Sequence, residues 1–401
     1  MAATFNETPT ANRLHIGFFG KRNSGKSSLI NAFTNQKVSI VSDVAGTTTD
    51  PVYKAMEVYP LGPCVMIDTA GFDDEGMLGE IRVEKTRLAA EKTDIAVIVC
   101  ADSKLAQELE WYQYFHSKNT PVLFIVNKID ILDDTEDIAA QIIKETNHTP
   151  ILASSKEGEG INEIREAFIR LLPENFGERL ITGTLVEEND IVLLVMPQDI
   201  QAPKGRLILP QVQTLRELLD KKCLVMSATT DKLKQALNAM KEPPKLIITD
   251  SQVFPYVYEN KPKESMLTSF SVLFAAYKGD LPYYVEGAKA IDRLTPDSKV
   301  LIAECCTHAP LKEDIGREKL PRMLRKHAGN LSVDIVSGTD YPKDLSDYDL
   351  IIQCGACMFN RKYVMARIDR ARTQGVPMTN YGVAIAHLSG ILPKITFPEE
   401  K

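Results

Sequence analysis

Apolar runs of strand length alternate along the chain with segments whose apolar residues recur at helical spacing. "LHIGFF" leads through a polar, glycine-bearing stretch into the helical pattern "LINAFTNQ". That order predicts strand, loop, helix. The apolar strands "PCVMID", "VLFIVN" and "ILAS" follow, and the pattern restarts beyond "RLLPENFGERL". Three strands, "DIVLLVMP", "CLVMSAT" and "PKLIITD", are then separated by the amphipathic stretches "LPQVQTLRELLDKK" and "DKLKQALNAMK". Cys223 is expected in the core at the start of a buried strand. From about residue 280 the chain again alternates helices with the short strands "KVLIAE", "LSVDIVS" and "DLIIQCG". The class is therefore α/β with parallel sheets. Three domains are expected, over residues 1–172, 180–275 and 276–401, the middle one too small to be self-sufficient.

Composition narrows the setting. The 401 residues are 44% hydrophobic and 25% charged, with a formal charge of −7. No run approaches the roughly 18 apolar residues of a membrane span, and an acidic balance gives no electrostatic reason for a nucleic-acid partner. Seven cysteines, an odd number unevenly spread, with no charged-then-apolar leader, point to the reducing cytoplasm rather than to a disulfide framework.

The loop after "LHIGFF" is "GKRNSGKSS". Gly20, Gly25, Lys26 and Ser27 meet the spacing G-x-x-x-x-G-K-S between a strand and a helix, where backbone N–H groups cradle a phosphate chain. Lys26 would reach the β and γ phosphates and the Ser27 hydroxyl a magnesium ion, with Ser24 and Ser28 completing the loop. "MIDTAG" brings Asp68 to a strand's carboxyl end to hold magnesium through water, and the Gly71 N–H to the γ-phosphate.

"VLFIVNKID" presents Asn127, Lys128 and Asp130 as N-K-x-D, which resembles the guanine-reading loop of the Ras-like GTPases. Asp130 can accept both the N1 and N2 donors of guanine, a pair that adenine lacks. Ser154, Ser155 and Lys156 in "ILASSK" are similar to the loop closing over the base in that superfamily. "VAGTTTD" resembles the first switch of the branch that includes the tRNA-modifying GTPase MnmE and the ribosome-assembly GTPase Der. That resemblance makes Thr48 the magnesium and γ-phosphate sensor, with Thr47 beside it, so that Lys26, Thr48 and Gly71 carry catalysis. It also makes Asn23 a potassium ligand; the alternative is an asparagine that merely shapes the turn. Where Ras has its water-positioning glutamine this chain has Phe72, so hydrolysis is expected to be slow. Asp73, Asp74, Glu75 and Glu80 lie nearby, but an acidic loop is ordinarily just solvated.

The C-terminal third holds Cys306 and His308 in "AECCTHAP", and Cys354 and Cys357 in "IIQCGACMFN". Both pairs follow strands, at the carboxyl edge where open α/β sheets build sites. Spacing alone leaves open a redox dithiol, a Cys3His zinc site and an iron–sulfur cluster with one iron free. Taken whole, the chain resembles the HydF family of maturation GTPases for FeFe hydrogenases, also through "DIQAPKGRLILPQVQ", "ECCTHAPLKEDIGREKLPR" and "TNYGVAIAHLSG". The resemblance implies a 4Fe-4S cluster on Cys306, Cys354 and Cys357. It further implies a homodimer or larger assembly that receives a two-iron precursor made with the radical-SAM maturases HydE and HydG, and passes it to apo FeFe hydrogenase. Many members carry histidine just before C-x-x-C; here it is Gln353. His308 or Glu304 is therefore the candidate fourth ligand or supporting group, and Cys305 adjoins the set. The alternative reading is a ribosome- or tRNA-associated GTPase with a zinc-binding terminal module.

Overall fold

The computed structural model describes residues 8–34, 50–71, 77–172, 176–177, 179–197, 207–305 and 314–399, with the side chains of 77–81 excepted. The chain divides into two compact units, Met1–Gly177 and Glu178–Lys401.

In the first unit six strands, β1 (Leu14–Phe19), β2 (Val52–Val58), β3 (Gly62–Asp68), β4 (Ile95–Cys100), β5 (Val122–Asn127) and β6 (Ile151–Ala153), form one sheet. Its order is β2-β3-β1-β4-β5-β6. β1, β4 and β5 are buried at every position because helices cover both faces of a parallel sheet. One apolar cluster gathers Ile16, Phe18, Leu29, Val97 and Phe168, a second Phe19, Ile98, Trp111 and Phe124, and a small third Val65, Ile67 and Ala89. β2 is the exception, an antiparallel and largely exposed edge strand that the sequence pattern did not predict.

The second unit carries two four-stranded, all-parallel sheets. The first consists of β7 (Ile191–Val195), β8 (Leu224–Ala228), β9 (Leu246–Thr249) and β10 (Met266–Ser269), in the order β10-β9-β7-β8. β10 is a fourth strand that the pattern missed: Met-Leu-Thr-Ser makes no apolar run like that of β9, and pairing with β9 defines it. β8 lies at an edge with Leu224 60% exposed, so the expected buried strand is corrected, although Cys223 just before it is itself buried. The second sheet consists of β11 (Lys299–Ala303), β12 (Ser332–Val336), β13 (Leu350–Gln353) and β14 (Met378–Asn380), in the order β12-β11-β13-β14. A single apolar cluster runs through both sheets, from Leu193, Ile247 and Phe254 to Val300, Ile351 and Val383. Side chains fix the helix starts around it: Asp280 accepts from the N–H of Tyr283, Asn360 from that of Tyr363 and Asn380 from that of Val383. No helix among the described residues is long and apolar enough to cross a membrane.

Candidate functional site

Strand order locates two candidate sites. In the first sheet β1 and β4 are neighbours, and the chain runs from β1 to the β2–β3 side and from β4 to β5 on the other; in the third β11 and β13 are neighbours, and the chain runs from β11 outward to β12 and from β13 outward to β14. Loops at such a reversal diverge and open a crevice beyond the strand ends. The glycine loop follows β1, and the cysteine segments follow β11 and β13.

At the first crevice Gly20 and Gly25 have φ of 155° and 92°. A Cβ on Gly25 would lie 2.1 Å from Asn127 Nδ2, which explains why glycine is needed there. Lys26 is buried, and its ammonium donates to Gly20 O at 2.9 Å and Lys21 O at 2.7 Å, so the loop curls around a cation facing its interior. The Ser27 hydroxyl donates to Asp68 Oδ2 at 2.5 Å. The two predicted magnesium holders, 41 residues apart in sequence, are thus brought together, an oxygen pair that suits a hard divalent cation. Thr69 donates to Phe18 O at 2.6 Å, fixing the end of β3 beside the loop, and Gly71 follows. Ser24 and Ser28 lie in the same turn and helix start. Asn23 is exposed with φ 58°, a backbone role that an asparagine tolerates.

The segments expected to read the base meet the glycine loop through Asn127. Fully buried at the end of β5, it donates from Nδ2 to Ser24 O at 2.9 Å and accepts on Oδ1 from Ser155 N at 3.2 Å. Asp130 is exposed, and its Oδ1 accepts from Ser154 Oγ at 2.8 Å, which holds the carboxylate at the mouth. Lys128 takes φ 66°, and Lys156 is exposed with Nζ 3.4 Å from Glu157. Thr47, Thr48, Phe72, Asp73, Asp74 and Glu75 lie outside the described residues, as does the side chain of Glu80. Sequence reasoning assigned nothing to Lys21. Its ammonium reaches Asp102 at 2.8 Å and the buried Glu108 at 3.6 Å, anchoring the loop to the segment after β4. Burial nevertheless holds the Glu108 carboxyl above its usual range.

At the second crevice β11 and β13 are parallel neighbours, pairing Ala303 with Gln353. Cys354 follows β13, and Cys357 lies three residues on, past Ala356 at φ 51°. Cys306 and His308 fall outside the described residues, among which no three metal-capable side chains converge. Cys305 is described and buried. Its N–H donates to Cys354 Sγ at 3.1 Å. A hydrogen bond from the Cys305 thiol, joined by backbone N–H groups of Ala356 and Cys305, holds the Cys354 thiol below its ordinary value against burial. Burial and the same contact push Cys305 well up. A sulfur receiving N–H donors in a loop closed by a left-handed residue fits a thiolate ligand.

Glu304 has both carboxylate oxygens engaged. Oε2 accepts from Arg317 Nε at 3.1 Å, Arg317 Nη2 at 3.0 Å and Ser337 Oγ at 3.2 Å, while the Tyr381 hydroxyl donates to Oε1 at 3.4 Å. That arrangement suits a support for the loop, one of the two roles expected of it. Beneath the Cys-x-x-Cys turn lies Lys278, a residue that sequence reasoning missed; burial drives its ammonium down to about 8 against the pull of Cys357 and Cys305.

Comparison with known proteins follows the same division. Residues 15–128 match the family model described as 50S ribosome-binding GTPase, residues 181–279 that of the hydrogen maturase F dimerization domain, and residues 282–397 that of the hydrogen maturase F tetramerization domain. GTPase Der of Wolinella succinogenes is 33% identical over 189 residues, 43% of this chain and 38% of that protein. GTPase Der of Clostridium kluyveri is 30% identical over 201 residues, 47% of this chain and 45% of that one. The tRNA modification GTPase MnmE of Laribacter hongkongensis is 29% identical over 165 residues, 39% and 34% of the two chains. The chain thus spans less than half the length of these relatives. Among solved structures, Era in complex with MgGDPNP and a 16S ribosomal RNA segment aligns with TM-score 0.38 and 20% identity, over 54% of this chain and 92% of that one. The G domain of the T. maritima FeoB iron transporter gives 0.31 and 20%, over 40% and 99%. A Ras-like P-loop unit is followed here by two hydrogen maturase F domains that cover more than half of the sequence, and the chain belongs to the hydrogen maturase F (HydF) family.

Proposed function

We propose that this protein is a GTP-hydrolysing scaffold of FeFe-hydrogenase maturation, cytoplasmic and oligomeric, which carries a 4Fe-4S cluster and delivers a two-iron precursor to the apo-hydrogenase. Its domains are the G domain over 1–172, a dimerisation module over 180–275 and a cluster-binding module over 276–401. In the first unit Asp130 accepts the N1 and N2 donors of guanine, and the N–H groups between Gly20 and Ser28 take the phosphates with Lys26. Ser27 and Asp68, with Thr48, would hold Mg2+, which neutralises phosphate charge when bound. The Gly71 N–H meets the γ-phosphate, and Asn23 would hold K+, which offsets the missing glutamine at position 72. In the second unit Cys306, Cys354 and Cys357 would hold the cluster, supported by His308 and Glu304. HydE, HydG and the apo-hydrogenase are the proposed partners, with no nucleic acid and no membrane among them.

The observation that supports the reading is the position of Cys354 directly after β13, the parallel neighbour of β11, with its Sγ accepting the Cys305 N–H at 3.1 Å. The test is anaerobic purification of the full chain with iron, sulfide and zinc analysis. Brown protein with about four irons per chain supports the cluster. Colourless protein with one zinc per chain overturns it and favours the reading that the 50S ribosome-binding GTPase match brings forward, a ribosome- or tRNA-associated GTPase.

A further inference from the structure

The helix Phe270–Lys278 is apolar and buried along most of its length, yet it ends on a lysine only 2% exposed. The ammonium donates to three carbonyls of the turn that bears Cys354 and Cys357: Phe359 O at 2.8 Å, Cys357 O at 3.3 Å and Ala356 O at 3.5 Å. A second buried cation stands nearby. Arg367, 1% exposed, is enclosed by the rings of Phe359, Tyr341 and Tyr363 at 4.7, 4.8 and 4.9 Å, and its Nη2 donates to Gly338 O. Its Nε and Nη1 have no hydrogen-bond partner among the described residues. Phe359 serves both, its carbonyl on Lys278 and its ring on Arg367.

Two buried cations without a carboxylate among the described residues are unfavourable unless another anion compensates them. Carbonyls and ring faces supply only partial negative charge. The turn that Lys278 holds bears Cys354 and Cys357, whose sulfurs would carry negative charge as thiolate ligands of a bound cluster. Lys278 lies at the end of the segment matched as the dimerization domain, and Cys354 and Cys357 lie in the segment matched as the tetramerization domain.

We propose that Lys278, assisted by Arg367, is the built-in counter-charge of the cysteine site, holding the Cys354–Phe359 turn from beneath and raising the reduction potential of the iron–sulfur group bound there. The proposal rests on the cluster reading above. On reduction one electron enters from an external donor, dithionite in the test, no bond forms or breaks, and the site gains one unit of negative charge. A fixed buried cation stabilises that more negative state.

The experiment compares the full-length chain with Lys278→Gln, a neutral donor, and Lys278→Arg, which keeps the charge, all reconstituted anaerobically with iron and sulfide. EPR-monitored redox titration gives the midpoint, and iron content reports occupancy. Lys278→Gln should be at least tenfold harder to reduce at a fixed ambient potential, about 59 mV lower for a one-electron couple, with Lys278→Arg close to the unmodified protein. A cluster-bearing Gln variant with an unshifted midpoint overturns the proposal. If the Gln variant holds no iron, Lys278→Arg decides: a retained cluster at an unshifted potential supports the role of the charge, and loss of iron there too overturns it. Failure of the unmodified chain to bind iron sinks the cluster reading itself, a result distinct from any of these.

Discussion

Replacing Gly25 by alanine tests whether phosphate and base recognition share one rigid frame. The backbone sits at φ 92°, and holding an L-residue in the left-handed region costs roughly 1–2 kcal/mol. The new Cβ would also lie 2.1 Å from Asn127 Nδ2 and 3.4 Å from its Cγ. Asn127 is fully buried, so its amide can yield only by releasing Ser24 O and Ser155 N, now at 2.9 and 3.2 Å. Each lost bond adds about 0.5–1.5 kcal/mol. The nucleotide-free loop can relax away from the clash, but binding has to restore it, so the cost falls on affinity. The sum, roughly 3 kcal/mol, corresponds to on the order of 100-fold weaker binding of GDP and GTP, read by titration of a fluorescent analogue. Because part of the cost is the collision itself, Gly25→Ala placed on an Asn127→Ala background should cost less than on the natural chain, a coupling that a double-mutant cycle measures. Affinity within threefold of the natural chain, or strictly additive variants, would refute the shared frame.

Three further outcomes are expected. Asp130→Asn removes the acceptor for guanine N1 and N2 and should weaken GTP binding by about 1.5–3 kcal/mol by calorimetry; hydrolysis of ATP by the natural chain would exclude the guanine assignment. Cys354→Ala should abolish iron binding and hydrogenase activation and leave basal GTP turnover nearly unchanged, whereas Ser27→Ala should impair magnesium-dependent turnover and still give brown protein; loss of GTP turnover in a folded Cys354 variant would contradict this separation. Turnover should be faster in potassium than in sodium chloride, and equal rates would remove Asn23 from the site.

The nucleotide crevice was legible in the sequence because each of its segments follows an apolar strand and spans only a few residues. Ser27 and Asp68, named from separate motifs, meet at 2.5 Å. What stayed hidden depends on contacts distant in the chain. β2 and β10 are defined by partners rather than by their own periodicity, and the residues of β8 read like a core strand although its position at an edge leaves Leu224 exposed. Lys21 found carboxylates some eighty residues away, which no local pattern records. Lys278 left one usable trace: a lysine closing the otherwise apolar "SVLFAAYK" belongs to a helix buried on all sides, so its charge has to be met inside the protein.

The apolar cluster that runs through both sheets of the second unit has a consequence for inheritance and engineering. Leu193 and Phe254 belong to the same packed interior as Ile351 and Val383. The Asn380 amide donates to Ser271 O at 2.9 Å, and the Thr396 N–H donates to Leu267 O at 2.8 Å. A cut near residue 280 would therefore strip a wall from each half instead of freeing two beads from a string. The two segments can be transplanted into another protein only as a single cassette, and a lineage that lost one would be left with an open face on the other.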